Sequence, residues 1–221
     1  MGANASQTID ISLGNLSINR LGGTSTQTGY VAHASSVPAL TQTTAPVSSE
    51  ILNATGTWSQ RGADIDGEAA GDMSGVHVSV SSDGNTLAIG ASGNDGNGSN
   101  SGHVRIFNWN GSAWQQRGSD IDGEGSGDQS GMSVSMSDDG NILAIGAGGN
   151  NGNGGDSGHV RIYTWNGSSW SQRGSDIDGE VSEDDSGKSV SISADGETLA
   201  IGANKNDGNG SNSGHVRIFN W

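Results

Sequence analysis

Six tryptophans lie on a strict period. Trp58, Trp114 and Trp170 are 56 residues apart, and so are Trp109, Trp165 and Trp221. The stretch from Trp114 to Trp165, WQQRGSDIDGEGSGDQSGMSVSMSDDGNILAIGAGGNNGNGGDSGHVRIYTW, has near-copies on both sides. A fixed period of this size marks a supersecondary unit that cannot bury its apolar face alone and does so against copies of itself. The chain is therefore read as three like units, 54–109, 110–165 and 166–221, preceded by an unrelated segment, 1–53.

Composition sharpens this reading. With 39 Gly and only 30% hydrophobic residues the chain resembles a low-complexity polymer. The glycines, however, fall at matching places in each unit, as turn punctuation between strands. The net charge is −15, almost all of it in the units, because residues 1–53 carry only Asp10, Glu50 and Arg20. An acidic surface disfavours nucleic acid and anionic lipid and suits divalent cations. Cysteine is absent, so thiolate chemistry and disulfides are excluded. The start, MGANASQTIDISLGN, lacks the basic and apolar regions of a signal peptide, and no apolar run is long enough for a membrane-spanning helix.

Each unit offers four strands. In the first they are Thr57–Arg61, Val76–Ser81, Leu87–Ala91 and His103–Trp109. Val76, Val78 and Val80 alternate with polar residues, as a half-buried strand requires. Asp83–Gly84 is a two-residue hairpin signal. LAIGA is nearly continuous in apolar character, as in a strand buried on both faces. The Gly/Asn runs 93–100, 149–156 and 205–212 connect to the HVRIFNW-type strand, either as plain hairpin loops or as ligand-contacting ones. No 3.6-residue period appears. The expected fold is all-β, three four-stranded antiparallel propeller-type blades with an extended N-terminal arm. In the arm Ile9, Ile11 and Leu13 alternate like a short strand, and residues 22–50 read as linker.

The residues SGMSVSM, LAIGA and GHVRIY resemble the FG-GAP repeats of integrin-α-like β-propellers over residues 58–221. The counterparts of the Phe-Gly, Gly-Ala-Pro and Gly-x-Val-x-Val-Tyr signatures are Ser74–Gly75, Gly90–Ala91 and Gly102–Phe107, with equivalents in the later units. Ser stands in place of Phe, and the cation loop of that family has shrunk here to the Asp-Gly turn. The segment ISLGNLSINRLG is similar to short stretches of appendage proteins of marine tailed phages.

Carboxylates recur as DIDGE…GD. Asp64, Asp66, Glu68 and Asp72 are spaced 1-3-5-9, as are Asp120, Asp122, Glu124 and Asp128, and Asp176, Asp178, Glu180 and Asp184. Alternate residues of a curling loop point their oxygens inward, and Ca²⁺ takes six to eight oxygens, so this spacing suits Ca²⁺. The same carboxylates equally serve to cap turns and to pair with Arg61, Arg105 and their equivalents. His103, His159 and His215, one per unit, read as structural. DSGKS at 185–189 lacks the upstream glycine of a phosphate loop. No nucleophile–base pair stands out.

These readings lead to a non-enzymatic structural or adhesive module, a virion appendage or decoration protein that presents acidic loops and docks on other structural proteins through residues 1–53. The expected location is extracellular or on a virion surface. A secreted or cell-surface Ca²⁺-binding adhesin, part of a longer chain, and a glycan-active enzyme are the alternatives. Expected partners are surface glycan or protein, with no nucleic acid and no membrane span. A homo-oligomer is also expected, in which strand 57–61 joins the sheet ending at Trp221.

Overall fold

The structure is a computed structural model that describes residues 57–221. The arm at 1–53 and its short strand lie outside the described residues. The described residues contain strands and turns only.

The first sheet holds β1 (His77–Val80), β2 (Thr86–Ala91), β3 (His103–Trp109) and β4 (Trp114–Gln116) in that order, with β5 (Ile121–Asp122) pairing on the first half of β3. The second repeats it with β6 (Ser133–Met136), β7 (Ile142–Ala147), β8 (His159–Trp165), β9 (Trp170–Gln172) and β10 (Ile177–Asp178). The third has β11 (Ser186–Ile192), β12 (Thr198–Ala203) and β13 (His215–Asn220). All ladders within the sheets are antiparallel. Register is identical from sheet to sheet, with Ala88 opposite Ile106, Ala144 opposite Ile162 and Ala200 opposite Ile218.

Local chemistry explains the tight turns. In the β1–β2 hairpin Asp83 Oδ1 accepts from Ser81 Oγ at 2.6 Å and from the Asn85 amide at 2.9 Å, so the carboxylate bridges both arms. The same arrangement recurs at Asp139 and Asp195. The middle strands β2 and β7 are buried on both faces, with Leu143, Ala144 and Ile145 at 1% exposure or less, whereas β12 is buried on one face, through Leu199, Ile201 and Ala203.

The sheets stack through side chains that no unit can bury by itself. Val134 and Met136 of the second unit close over Val104 and Ile106 of the first. Val190 and Ile192 of the third pack with Val160 and Ile162 of the second. Burying each such side chain stabilises by about 1.5–3 kcal/mol. Hydrogen bonds follow the same step: Met136 N donates to Ser79 Oγ at 3.1 Å and Ile192 N to Ser135 Oγ at 3.0 Å. The turns join likewise, Ser82 N to Asp138 O and Asp138 N to Ala194 O, both at 2.9 Å.

The fourth strand of a sheet comes from the following unit: β4 and β9 precede the acidic loops of units two and three yet pair with β3 and β8. Thr57–Arg61, expected as a strand, is not one, and Trp58 is fully exposed at 102%. The pattern supplies the reason, since its pairing edge would belong to a sheet preceding β1, which is not among the described residues. Strands β5 and β10 are additions that the sequence pattern does not announce.

Candidate functional site

The acidic loops sit where β3 and its equivalents begin, alongside the Gly/Asn loops, and the two loop types are sewn together. Asn97 Nδ2 donates to Gly123 O at 2.8 Å and Glu124 O at 3.1 Å. Asn153 Nδ2 donates to Gly179 O and Glu180 O, both at 2.8 Å. The main chain adds Gly127 N to Ser99 O at 2.8 Å and Gln129 N to Asn100 O at 3.0 Å. Loops so tied are fixed parts of the scaffold.

Within one loop the four carboxyl-bearing residues take different tasks. Asp64, Asp120 and Asp176 each accept from the Gln four residues earlier, at 2.8, 2.5 and 2.6 Å. The main-chain carbonyls of Asp66, Asp122 and Asp178 accept from Nη2 of Arg105, Arg161 and Arg217 at 2.6, 2.7 and 2.6 Å, and their carboxylates stay exposed. Asp72, Asp128 and Asp184 are buried and cap the turn before them, accepting from the amides of Ala69, Gly125 and Val181. Asn94 and Asn206 donate to Asp72 and Asp184 as well.

Glu68, Glu124 and Glu180 reach toward the histidines. Glu68 lies 3.6 Å from Arg105 Nη1 and 3.9 Å from His103 Nδ1. Glu124 lies 3.7 Å from Arg161 and 3.8 Å from His159, and Glu180 lies 3.6 Å from His215. Each arginine also lies over the aromatic ring two residues on, Phe107, Tyr163 or Phe219, with 5.3–5.6 Å from Cζ to the ring centroid.

Three groups result that could hold a metal ion: Glu68, His103 and Asp120; Glu124, His159 and Asp176; and Glu180, Asp184 and His215. In each, one ligand atom per residue lies within 4.8 Å of the others. The first two join carboxylates from the loops of successive units around a histidine of the strand between them. His103 and His159 are almost fully buried, and Nε2 of all three histidines is without a hydrogen-bond partner among the described residues. Burial, and then the Arg161 charge, hold the His159 imidazole below its ordinary 6.5. A neutral imidazole with two carboxylates is a mixed nitrogen and oxygen donor set of the kind that Zn²⁺ accepts. A Ca²⁺ shell of six to eight oxygens needs donors beyond these three residues. The histidines, read from sequence as structural, thus stand in the groups, and their recurrence before Val-Arg-Ile in every unit was the available signal.

The tryptophans flank the β3–β4 and β8–β9 hairpins. Trp109 and Trp114, and Trp165 and Trp170, meet with ring centroids 5.5 Å apart. Arg61 and Arg117 lie over these pairs, and their carbonyls accept from Nε1 of Trp114 and Trp170 at 2.9 Å.

No curated protein matches the chain. Among solved structures the hydrazine synthase of Kuenenia stuttgartiensis is similar, with a TM-score of 0.41 and 13% identity over 74% of this chain. The match spans 36% of that chain, about a third of its length. The family model described as FG-GAP repeat matches residues 65–107 and 176–219, each running from an acidic loop to the HVRIF strand. FG-GAP repeats are typical of extracellular or surface proteins, and among the described residues no helix is long and apolar enough to cross a membrane. Residues 65–107 and 176–219 are thus similar to FG-GAP repeats, and the described residues that carry them fold into antiparallel sheets alone.

Proposed function

We propose that this chain is a non-catalytic adhesive module of an extracellular assembly or virion appendage, and that its acidic loops form the contact surface. The observation that carries the reading is the stitching of those loops. Asn97 and Asn153 clamp the main chain of Glu124 and Glu180, while the carboxylates of Asp66, Asp122 and Asp178 remain exposed. A rigid scaffold presenting a repeated polar surface at one edge loses little entropy on binding. Residues 1–53, nearly uncharged, serve in this reading as the docking arm to other structural proteins.

Divalent cations belong to the same surface. Ca²⁺ on the exposed carboxylates binds with dissociation constants on the order of 10⁻⁴–10⁻³ M. A melting scan with Ca²⁺, with Zn²⁺ and with chelator separates the candidates: a rise with Zn²⁺ alone places the ion in the Glu–His–Asp groups. No shift with either ion removes the cation from the proposal and leaves the adhesive reading standing. That reading is tested by adding purified protein to a glycan array and to cell-surface fractions. Retention at millimolar Ca²⁺, without cleavage of the retained glycan, is expected. Hydrolysis of any glycan overturns the non-catalytic assignment. Mass spectrometry of purified particles tests the virion location.

A further inference from the structure

The stack exposes, at its two ends, the two halves of its own internal interface. On β1 and just before it, Val76, Val78 and Val80 are 49%, 54% and 57% exposed. One unit later the equivalents of the last two, Val134 and Met136, are buried at 2% and 8%. On β13, Val216 and Ile218 are 66% and 69% exposed, whereas Val104 and Ile106 of β3 are fully buried beneath the next unit. The face that covers Val104 and Ile106 is the face to which Val78 and Val80 belong by repeat.

A cavity of about 170 Å³ marks the same relationship. Arg173, Gly174, Phe219 and Trp221 line it, together with Ile162 and Ile192. One unit earlier the corresponding place, beside Arg117, Gly118 and Trp165, holds the indole of Trp170. Gly118 has Trp165 and Trp170 next to it, while Gly174 has, among the described residues, only Trp221. Trp58, the repeat equivalent of Trp170, stands fully exposed.

We infer that identical copies of this chain associate head to tail. Trp58–Gln60 of one copy pairs with Phe219–Trp221 of another, Trp58 enters the cavity beside Arg173, and Val78 and Val80 cover Val216 and Ile218. The register follows from Trp109 opposite Trp114 and Phe107 opposite Gln116: Trp221 faces Trp58, and Phe219 faces Gln60. The indole Nε1 of Trp58 donates to Arg173 O, as Trp114 and Trp170 do to Arg61 and Arg117. Ile65 and Asp66 then extend β13 as β5 extends β3, and Asp64 joins Glu180 and His215 as Asp120 joins Glu68 and His103. The contact is heterologous, so it closes into a ring or continues as a filament.

Light scattering on the full chain across a wide concentration range tests this. A mass of twice 22.2 kDa or a higher multiple is expected, and a 22.2 kDa species throughout overturns the inference. Trp58→Ala, at a fully exposed position, leaves the circular dichroism spectrum unchanged and weakens association at least about tenfold. Val78→Asp and Ile218→Asp are each monomeric alone and form a pair when mixed, because each retains one intact face. Association that survives all three substitutions, or folded variants that fail to complement each other, overturns it. Mixed single-cysteine chains, Ser59→Cys with Asn220→Cys, give a disulfide between copies in a protein otherwise free of cysteine, and neither alone gives the mixed product.

Discussion

Gly90 and Gly131 meet across the boundary between the first two units, so closely that a Cβ on Gly90 would stand 1.9 Å from the Gly131 carbonyl oxygen. Gly146 and Gly187 repeat the contact one boundary on, at 2.0 Å. Two glycine positions of the repeat signature, one opening the inner strand and one closing the middle strand, are thus the two sides of a single backbone contact. The sheets stack tightly because neither side carries a side chain there.

Gly90→Ala forces a methyl into main chain, which cannot yield as a flexible side chain would. The expected cost is at least about 2 kcal/mol in denaturant unfolding. Gly155→Ala, where an added Cβ meets nothing within 4 Å, stays within about 0.5 kcal/mol. Equal effects at the two positions would refute the packing argument.

Arg161 is 5% exposed and joins the Asp122 carbonyl, the Glu124 carboxylate and the Tyr163 ring. A lysine ammonium is a point charge on a flexible stem and cannot serve all three at once. Arg161→Lys is therefore expected to cost about 1.5–3 kcal/mol, the range for a hydrogen bond made by a charged group. A chemical denaturation curve unchanged from the parent protein would contradict this.

Asn153→Ala removes both side-chain bonds that hold the Gly/Asn loop to Gly179 and Glu180. Local opening becomes easier by about 1–2 kcal/mol. Amide exchange at Gly154 and Ser157 should quicken by roughly tenfold or more, with global unfolding changed far less.

The turn carboxylates contribute an acid-sensitive part of the stability. Ser81, followed by the amide and side chain of Asn85, holds Asp83 down to about 2 from an ordinary 3.8. Ser193 lowers Asp195 in the same manner. At Asp139 burial pushes upward but is outweighed by bonds from Ser137 and Asn141 and by the Arg117 charge, and the net direction is down. Between about 2 and 3.8 the unfolded chain holds more protons than the folded one at Asp83, so stability falls as pH is lowered through that window. The contribution is intact above it. A melting series from pH 5 to pH 2 should show this acid limb, shallower in Asp83→Asn, and identical limbs in both proteins would count against the turn assignment.

Much of the fold was legible because period-2 alternation and Asp-Gly turns are local signals. Val76, Val78 and Val80, the Asp83–Gly84 turn and HVRIFNW each declare themselves within a few residues, and β1, β2 and β3 lie where those patterns place them. The pairing of Ile121–Asp122 with Val104 and His103 carries no such pattern, since two residues are too few to show a period. Nor was the Glu68, His103 and Asp120 group legible. Its carboxylates come from different units, while the 1-3-5-9 spacing directs attention to oxygens within one loop. The same spacing serves a turn cap as well as an ion, and only the amide of Ala69 on Asp72 reveals which task that carboxylate performs.

The loop after β4 has a foot in two sheets: Ile121 lengthens β3, while the carbonyl of Asp122 takes a bond from Arg161 on β8. A gene encoding such a chain adds or loses whole junctions of this kind in steps of the full period. Within the repeats, duplicating any contiguous 56 residues recreates this junction intact, whereas an insertion between Ile121 and Asp122 separates the strand pairing from the arginine bond. Length variation among descendants of this sequence should therefore be quantised.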